Sequence, residues 1–222
     1  MKKTKEPQYQ FLLDRDRAQF GLMSSQVWQD DPRRLCFLLS RYKFVAKMLC
    51  RKDNVLEIGC ADGFGSRVVK QEVGKLTAVD FDPIFIENAK QISDSRWPVK
   101  FVTHNMLHGP VVASPKFDAC YCCDVIEHIE PSFEDVFMRN LAESLTNDGL
   151  AIVGCPSLES QVYASPPSKE GHVNCKTADG LRDLMGRHFA NVFIFSMNDE
   201  VVHTGFSPMA HYLFAIGTDK RF

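Results

Sequence analysis

Asp124, Glu127 and His128 stand together in Cys123-Asp-Val-Ile-Glu-His-Ile-Glu-Pro131, and a second histidine, His172, follows in Glu170-Gly-His-Val-Asn174. On a helical turn the first three are spaced i, i+3 and i+4 and share one face. Carboxylates and imidazoles so grouped can accept a proton from an attacking group or hold a divalent cation. His172 lies in a Ser-, Pro- and Gly-containing segment, 157–174, and loops on a rigid scaffold often carry function. Its near-neutral pKa makes it the candidate base for an alcohol or phenol.

Upstream runs Val55-Leu-Glu-Ile-Gly-Cys-Ala-Asp-Gly-Phe-Gly-Ser66, then, after a helix-sized gap, Leu76-Thr-Ala-Val-Asp-Phe-Asp-Pro83. An apolar run ending in an acidic residue and a glycine loop, followed by a second run ending in Asp80, is the pattern of a βαβ nucleoside pocket. The loop is not the G-x-G-x-x-G of a dinucleotide site. Glu57 at the strand end repels a pyrophosphate but can pair with a cation. An adenosine-containing ligand with positive charge and no phosphate fits, and S-adenosyl-L-methionine carries a sulfonium and an ammonium.

These residues resemble the class I S-adenosylmethionine-dependent methyltransferases, whose first motif reads E-x-G-x-G-x-G after a strand; the middle glycine is Ala61 here. The resemblance runs from about Val55 onward and is most specific in its first half. It implies an α/β, Rossmann-like fold, with a seven-stranded, mostly parallel sheet in the order 3-2-1-4-5-7-6 and helices on both faces. It implies cofactor contacts from Glu57, Gly59, Cys60, Ala61 and Gly63, and from Asp80 to the ribose hydroxyls. Phe81 is expected against the adenine, Asn105 and Met106 around its amine, and Asp124 near the sulfonium. The product would be S-adenosyl-L-homocysteine, and the expected catalytic residues are His172, Asp124 and His128.

Two functional readings of Asp124-x-x-Glu127-His128 remain open. The stretch is similar to one that shapes the pocket in metal-independent small-molecule methyltransferases. It also resembles the E-x-x-E-H ligands of metal-dependent O-methyltransferases, including RNA 2′-O-methyltransferases and ubiquinone-pathway enzymes, with a later histidine completing the site. Asp124 is shorter than the first Glu of that motif, and His172 is the later histidine. The metal-free reading is preferred, with a divalent metal as the alternative.

The elements needed to position these residues are visible in the apolar periodicity. Strands are expected near 54–59, 76–80, 99–103, 117–123, 149–155, 190–197 and 209–216, with helices near 64–71, 83–92, 133–145 and 178–187. Two strands with no helix between them close the sheet as an antiparallel hairpin, joined by 198–208. Residues 1–50 are expected to form an arm and helix covering the pocket, and 51–222 the main domain. Within 34–50, Leu35, Leu38, Leu39, Tyr42, Val45, Ala46 and Leu49 make one apolar stripe. Phe37, Phe44 and Met48 make a narrower one, read as core or a dimer contact in preference to an acceptor surface.

The 222 residues suffice for one sizeable domain, not for two full α/β halves, which argues against a dehydrogenase. A composition of 45% hydrophobic and 24% charged residues with net charge −2 gives no reason to expect nucleic acid, and the acceptor is expected to be a small molecule. Arg33, Arg34, Arg41 and Lys43 offer a phosphate contact, hence a sugar or nucleotide-linked sugar as acceptor, with N-methylation as the variant chemistry. A non-catalytic S-adenosylmethionine-binding protein is the alternative from another class. The polar N-terminus and the lack of a long apolar run predict a cytoplasmic protein without membrane association, its oligomeric state open. The eight cysteines read as reduced thiols, with Cys120-Tyr-Cys-Cys123 as core and not a zinc site. His203 and Tyr212 are weaker candidates, and His211 and Tyr212 are expected in the core.

Overall fold

The computed structural model describes residues 3–15 and 17–221. Met1, Lys2 and Asp16, which belong to the expected arm, lie outside the described residues. A 3-10 helix, Pro7–Leu13, precedes α1 (Leu22–Asp30) and α2 (Arg33–Met48). Then β1 (Asn54–Ile58), α3 (Ser66–Lys70), β2 (Lys75–Asp80), α4 (Pro83–Gln91) and β3 (Lys100–Thr103) alternate. The crossover to β4 (Phe117–Cys123) has no helix, and α5 (Glu134–Ser144) runs directly into β5 (Leu145–Pro156). The chain continues through α6 (Pro166–Gly171), α7 (Ala178–Gly186), β6 (Phe189–Asn198), β7 (Val201–His203) and β8 (Tyr212–Lys220).

The sheet has eight strands, in the order β3-β2-β1-β4-β5-β8-β6-β7. The β1–β5 pairings are parallel, and β8 and β6 join antiparallel. This corrects the expected seven strands by one. Val201–His203 folds back on β6 inside the segment read as a plain connection. Without that edge strand the order is the expected one. Helices α1 and α6 were not legible from periodicity. The first has mixed polar and apolar faces, and the second is a single Pro-started turn.

Strand alternation feeds two layers of core. Leu56, Cys120, Cys122, Val153 and Leu213 meet the α5 and α7 side. Val55, Tyr121, Cys123, Ile152 and Phe214 meet α2. Cys120 and Cys123 therefore point to opposite sides, as core thiols do, and all eight cysteines are free. Helix α2 buries Leu35, Tyr42, Val45 and Ala46, and Leu49, just past its end, is buried as well. Phe44 packs on Phe214 (4.7 Å) and Phe195 (5.3 Å), which makes the second stripe partly core, while Met48 stays 42% exposed. The parallel strands run in one direction, and in open α/β sheets ligands bind outside the carboxyl ends of such strands.

Candidate functional site

The turn after β1 is built on left-handed backbone at Gly59 (φ 75°), Ala61 (φ 45°) and Gly63 (φ 69°). Ala61 thus keeps the conformation that a glycine would adopt freely, at a cost of about 1 kcal/mol. The turn is tied to β2. Gly59 N and Cys60 N donate to the Val79 carbonyl at 2.8 and 3.1 Å, and Ala61 N donates to Asp80 Oδ2 at 2.9 Å. The other Asp80 oxygen accepts Asp82 N at 3.0 Å, and Asp82 itself caps α4 through Ile84 N. Asp80 therefore positions the glycine turn as well as standing at the strand end. The Cys60 side chain is buried with Ala78 and Ile86, which leaves its backbone to the turn.

Glu57 is 1% exposed and turned toward α2, where Tyr42 donates its hydroxyl to Oε1 at 3.0 Å. Burial pushes its pKa up to about 7, against the opposing pull of the Ser66, Tyr121 and Tyr42 hydroxyls.

The N-terminal segment also reaches this turn. Asp62, 4% exposed, accepts Ser24 N at 2.7 Å and Ser24 Oγ at 2.8 Å, so the start of α1 rests on the glycine turn. Leu22 N donates to Asn88 Oδ1 on α4 at 2.9 Å, and Phe20 lies between Phe64 (5.3 Å) and Trp28 (5.8 Å). The scattered aromatics before Pro32 were the only sign of this docking in the sequence.

At the end of β4 the expected single face breaks up. Asp124 has φ 59° and is not helical; a short 3-10 turn covers Ile126–His128 instead. Asp124 faces Arg41 of α2, whose Nη1 lies 2.9 Å from both carboxylate oxygens. The guanidinium stacks 3.9 Å over the Tyr212 ring. Burial opposes the Arg41 charge, but the Asp124 carboxylate outweighs it and holds the group firmly protonated.

Glu127, His128 and His172 do converge, with one ligand atom from each within 4.8 Å of the others. Glu127 is fully buried and neither carboxylate oxygen has a hydrogen-bond partner. Burial first, then the Asp124 charge, raises its pKa well above the usual range. The two rings stand edge to face at 5.2 Å. His128 Nδ1 lies 2.8 Å from the Gly171 carbonyl oxygen, and His172 Nδ1 lies 2.8 Å from Gln161 Oε1. Each ring nitrogen so engaged leaves Nε2 with a free lone pair, the arrangement that orients metal-binding imidazoles. Burial, then His128, lowers the His172 pKa. An orphaned buried carboxylate with two oriented imidazoles suits a borderline divalent cation.

The segment carrying His172 is anchored. Val173 N and Asn174 N donate to the Glu127 carbonyl at 2.9 and 3.0 Å. Glu134, at the start of α5, accepts Asn174 Nδ2 at 3.0 Å, Lys176 Nζ and Arg187 Nη2. Although burial opposes it, Lys176 and Asn174 hold the Glu134 carboxyl below its ordinary value.

Phe81 is 72% exposed beside Asp80, free to meet a ligand. Asn105 Oδ1 accepts Leu107 N at 2.9 Å in a local turn, and the Met106 side chain is buried in the core under α5. Those two therefore differ from the open adenine contacts expected of them. His203 bonds Asn198 Oδ1 (2.8 Å) and Gly205 N (3.0 Å), shaping the β6–β7 hairpin. His211 is exposed, contrary to its expected core place, whereas Tyr212 is buried. Arg41, Tyr42, Ser24 and Gln161 were missed as site residues. The sequence singles out Tyr42 only within the apolar stripe and Arg41 only as a phosphate contact, and it gives no sign of Ser24 or Gln161.

Residues 55–149 match the family model described as a methyltransferase domain. The mitochondrial ubiquinone biosynthesis O-methyltransferase of Schizosaccharomyces pombe is 32% identical over 145 residues, covering 60% of this chain and 52% of that protein. A probable S-adenosylmethionine-dependent methyltransferase of Mycobacterium tuberculosis is 28% identical over 141 residues, covering 61% and 48%. The chain thus spans about half the length of the curated relatives it matches. The fold is similar to that of the N-methyltransferase NodS from Bradyrhizobium japonicum WM9, solved with S-adenosyl-L-homocysteine, at TM-score 0.60 and 18% identity over 86% of this chain and 90% of that one. Residues 55–149 thus match a methyltransferase domain, and with the glycine turn, the Asp80 strand end and this strand order the chain is similar to the class I S-adenosylmethionine-dependent methyltransferases.

Proposed function

We propose that the protein transfers a methyl group from S-adenosyl-L-methionine to a hydroxyl of a small-molecule acceptor. The observation that supports this most is the convergence of Glu127, His128 and His172 where β4 ends, beside the Asp80 and Ala61 turn that would hold the cofactor. When bound, the cofactor supplies a methyl already activated on a sulfonium. The protein then has to align the acceptor oxygen and remove its proton. His172 is placed for the second task, since its lowered pKa keeps it neutral at pH 7 and Gln161 fixes its ring. Asp80 would accept the ribose hydroxyls, Phe81 would lie on the adenine, and α1 with α2 would cover the pocket.

The orphaned Glu127 carboxylate favours the metal-dependent form of this reaction over His172 acting alone. When bound, a divalent cation supplies a Lewis acid that lowers the pKa of the acceptor hydroxyl. Glu127, His128 and His172 would hold it and orient the oxygen. The sugar-phosphate acceptor loses support, because Arg33 pairs with Asp31 and Arg41 with Asp124. The match to an O-methyltransferase supports oxygen as the methylated atom, while the fold likeness to an N-methyltransferase keeps an amine acceptor in the screen.

The deciding experiment is calorimetric titration with S-adenosyl-L-homocysteine, followed by an acceptor screen with EDTA or added Mn or Mg. Micromolar binding and turnover abolished by EDTA are expected. Turnover indifferent to EDTA would return the reaction to a metal-free base. Binding without turnover on any hydroxyl or amine would favour a non-catalytic binding protein.

A further inference from the structure

Asp124 occupies the position from which the first carboxylate of an E-x-x-E-H set would act, yet it stands outside the Glu127, His128 and His172 cluster. Three parts of the chain hold it away. Its left-handed backbone follows directly on β4, with Asp124 N donating to the Gly154 carbonyl of β5 at 3.0 Å. Its carboxylate takes Arg41 Nη1 on both oxygens. Arg41 is fixed in turn by stacking on Tyr212 of β8. A carboxylate held on both oxygens by one guanidinium is fixed in place, and it cannot swing to a neighbouring cation as a ligand without breaking that pair.

We infer that Arg41 is a selectivity residue for the cation site: by withdrawing Asp124 it leaves one carboxylate and two imidazoles as the protein donors. This inference rests on the metal-dependent reading above. Mg2+ demands near-ideal octahedral oxygen coordination and gives up its waters reluctantly. Mn2+ also favours oxygen, but as a first-row transition ion it tolerates imidazole nitrogen better than Mg2+ does, and the later first-row ions bind it more strongly still. The site is therefore built to prefer Mn2+ over Mg2+. Releasing Asp124 would add an oxygen donor and a negative charge, which helps Mg2+ more than it helps Mn2+.

The test is direct calorimetric titration of the full chain with MnCl2 and with MgCl2, without cofactor or acceptor. The unaltered protein is expected to bind Mn2+ about tenfold or more tightly than Mg2+. Asp124→Asn, with Arg41 intact, should keep its Mn2+ affinity within about threefold, because Asp124 is not a ligand. Arg41→Met should strengthen Mg2+ binding and bring the Mn2+ to Mg2+ ratio to about threefold or less. His172→Ala should abolish the Mn2+ heat and locate the site. A loss of Mn2+ affinity of about tenfold or more in Asp124→Asn would show Asp124 to be a ligand and overturn the inference while leaving the metal reading intact. An unchanged ratio in folded Arg41→Met would overturn it too. Should that variant fail to fold, Asp124→Asn decides alone. No Mn2+ binding by the unaltered protein would instead remove the metal reading itself.

Discussion

Tyr42 on α2 donates its hydroxyl to Oε1 of Glu57 at the end of β1, at 3.0 Å, and it passes Gly65 to get there. A Cβ on Gly65 would lie 2.4 Å from two carbons of the Tyr42 ring. The third glycine of the loop is thus explained by the helix that packs over it as much as by any ligand. Gly65→Ala should force Tyr42 outward and destabilise the protein by about 2 kcal/mol. Tyr42→Phe should lose about 1–2 kcal/mol through the orphaned Glu57 oxygen. Thermal or urea unfolding of the two variants measures both.

Glu57 titrates near pH 7 in the folded protein against 4.5 ordinarily, so between those values the folded state holds the extra proton. Stability is then greatest below about pH 4.5 as far as this group is concerned, and falls as pH rises toward 7, by on the order of 3 kcal/mol in all. Glu57→Gln carries no titrating group and should be stabilised relative to the unaltered protein at pH 8 more than at pH 5. Melting temperatures of the ligand-free proteins across that range provide the check, and parallel curves would remove Glu57 as the source.

Asp80 holds the glycine turn through Ala61 N and Asp82 N. Asp80→Ala should weaken S-adenosyl-L-homocysteine binding by about ten- to a hundredfold, since both the turn and the ribose acceptor are lost. Calorimetry with the product reads this, and unchanged affinity would put the pocket elsewhere.

The start of α1 leans on Asp62 so closely that a Cβ on Gly21 would come within 2.4 Å of Asp62 Cβ. Gly21→Ala should lift α1 from the glycine turn. Faster trypsin cleavage at Arg15, Arg17 or Arg33, with about tenfold weaker product binding, is the expected outcome. Faster cleavage with unaltered affinity would make α1 a passenger on the pocket.

His172→Ala should lower kcat by about a hundredfold or more if the ring takes the acceptor proton or holds the cation. Because burial and His128 lower the pKa, the acidic limb of kcat in the unaltered enzyme should lie below the ordinary histidine value of 6.5. Replacing Gln161 by Leu frees the ring without removing it. That variant should reduce kcat by less than His172→Ala does.

The strands and most helices are legible in the sequence because parallel strands covered on both faces read as apolar runs between turn residues. The glycine turn and Asp80 are equally plain, since close backbone approach restricts residue types at fixed spacing. The second half of the site is not. The helical face drawn for Asp124, Glu127 and His128 assumes ordinary backbone, and the left-handed Asp124 breaks it. Arg41 and Ser24 meet their partners only through tertiary packing, across long stretches of chain that no local period encodes. Val201–His203 was hidden for another reason: three residues are too few to show alternation.

Helix α2 carries a kinetic consequence. It forms early in the chain, yet it lodges Phe44 against Phe214 and Arg41 against Tyr212, both on the far later strand β8. During synthesis Phe44 and Arg41 must wait without these partners until almost the whole sheet exists, and loop closure over such separations is slow. The interval invites contact between unfinished chains, so the yield of refolded protein should fall with concentration sooner than the stability of the finished molecule would imply.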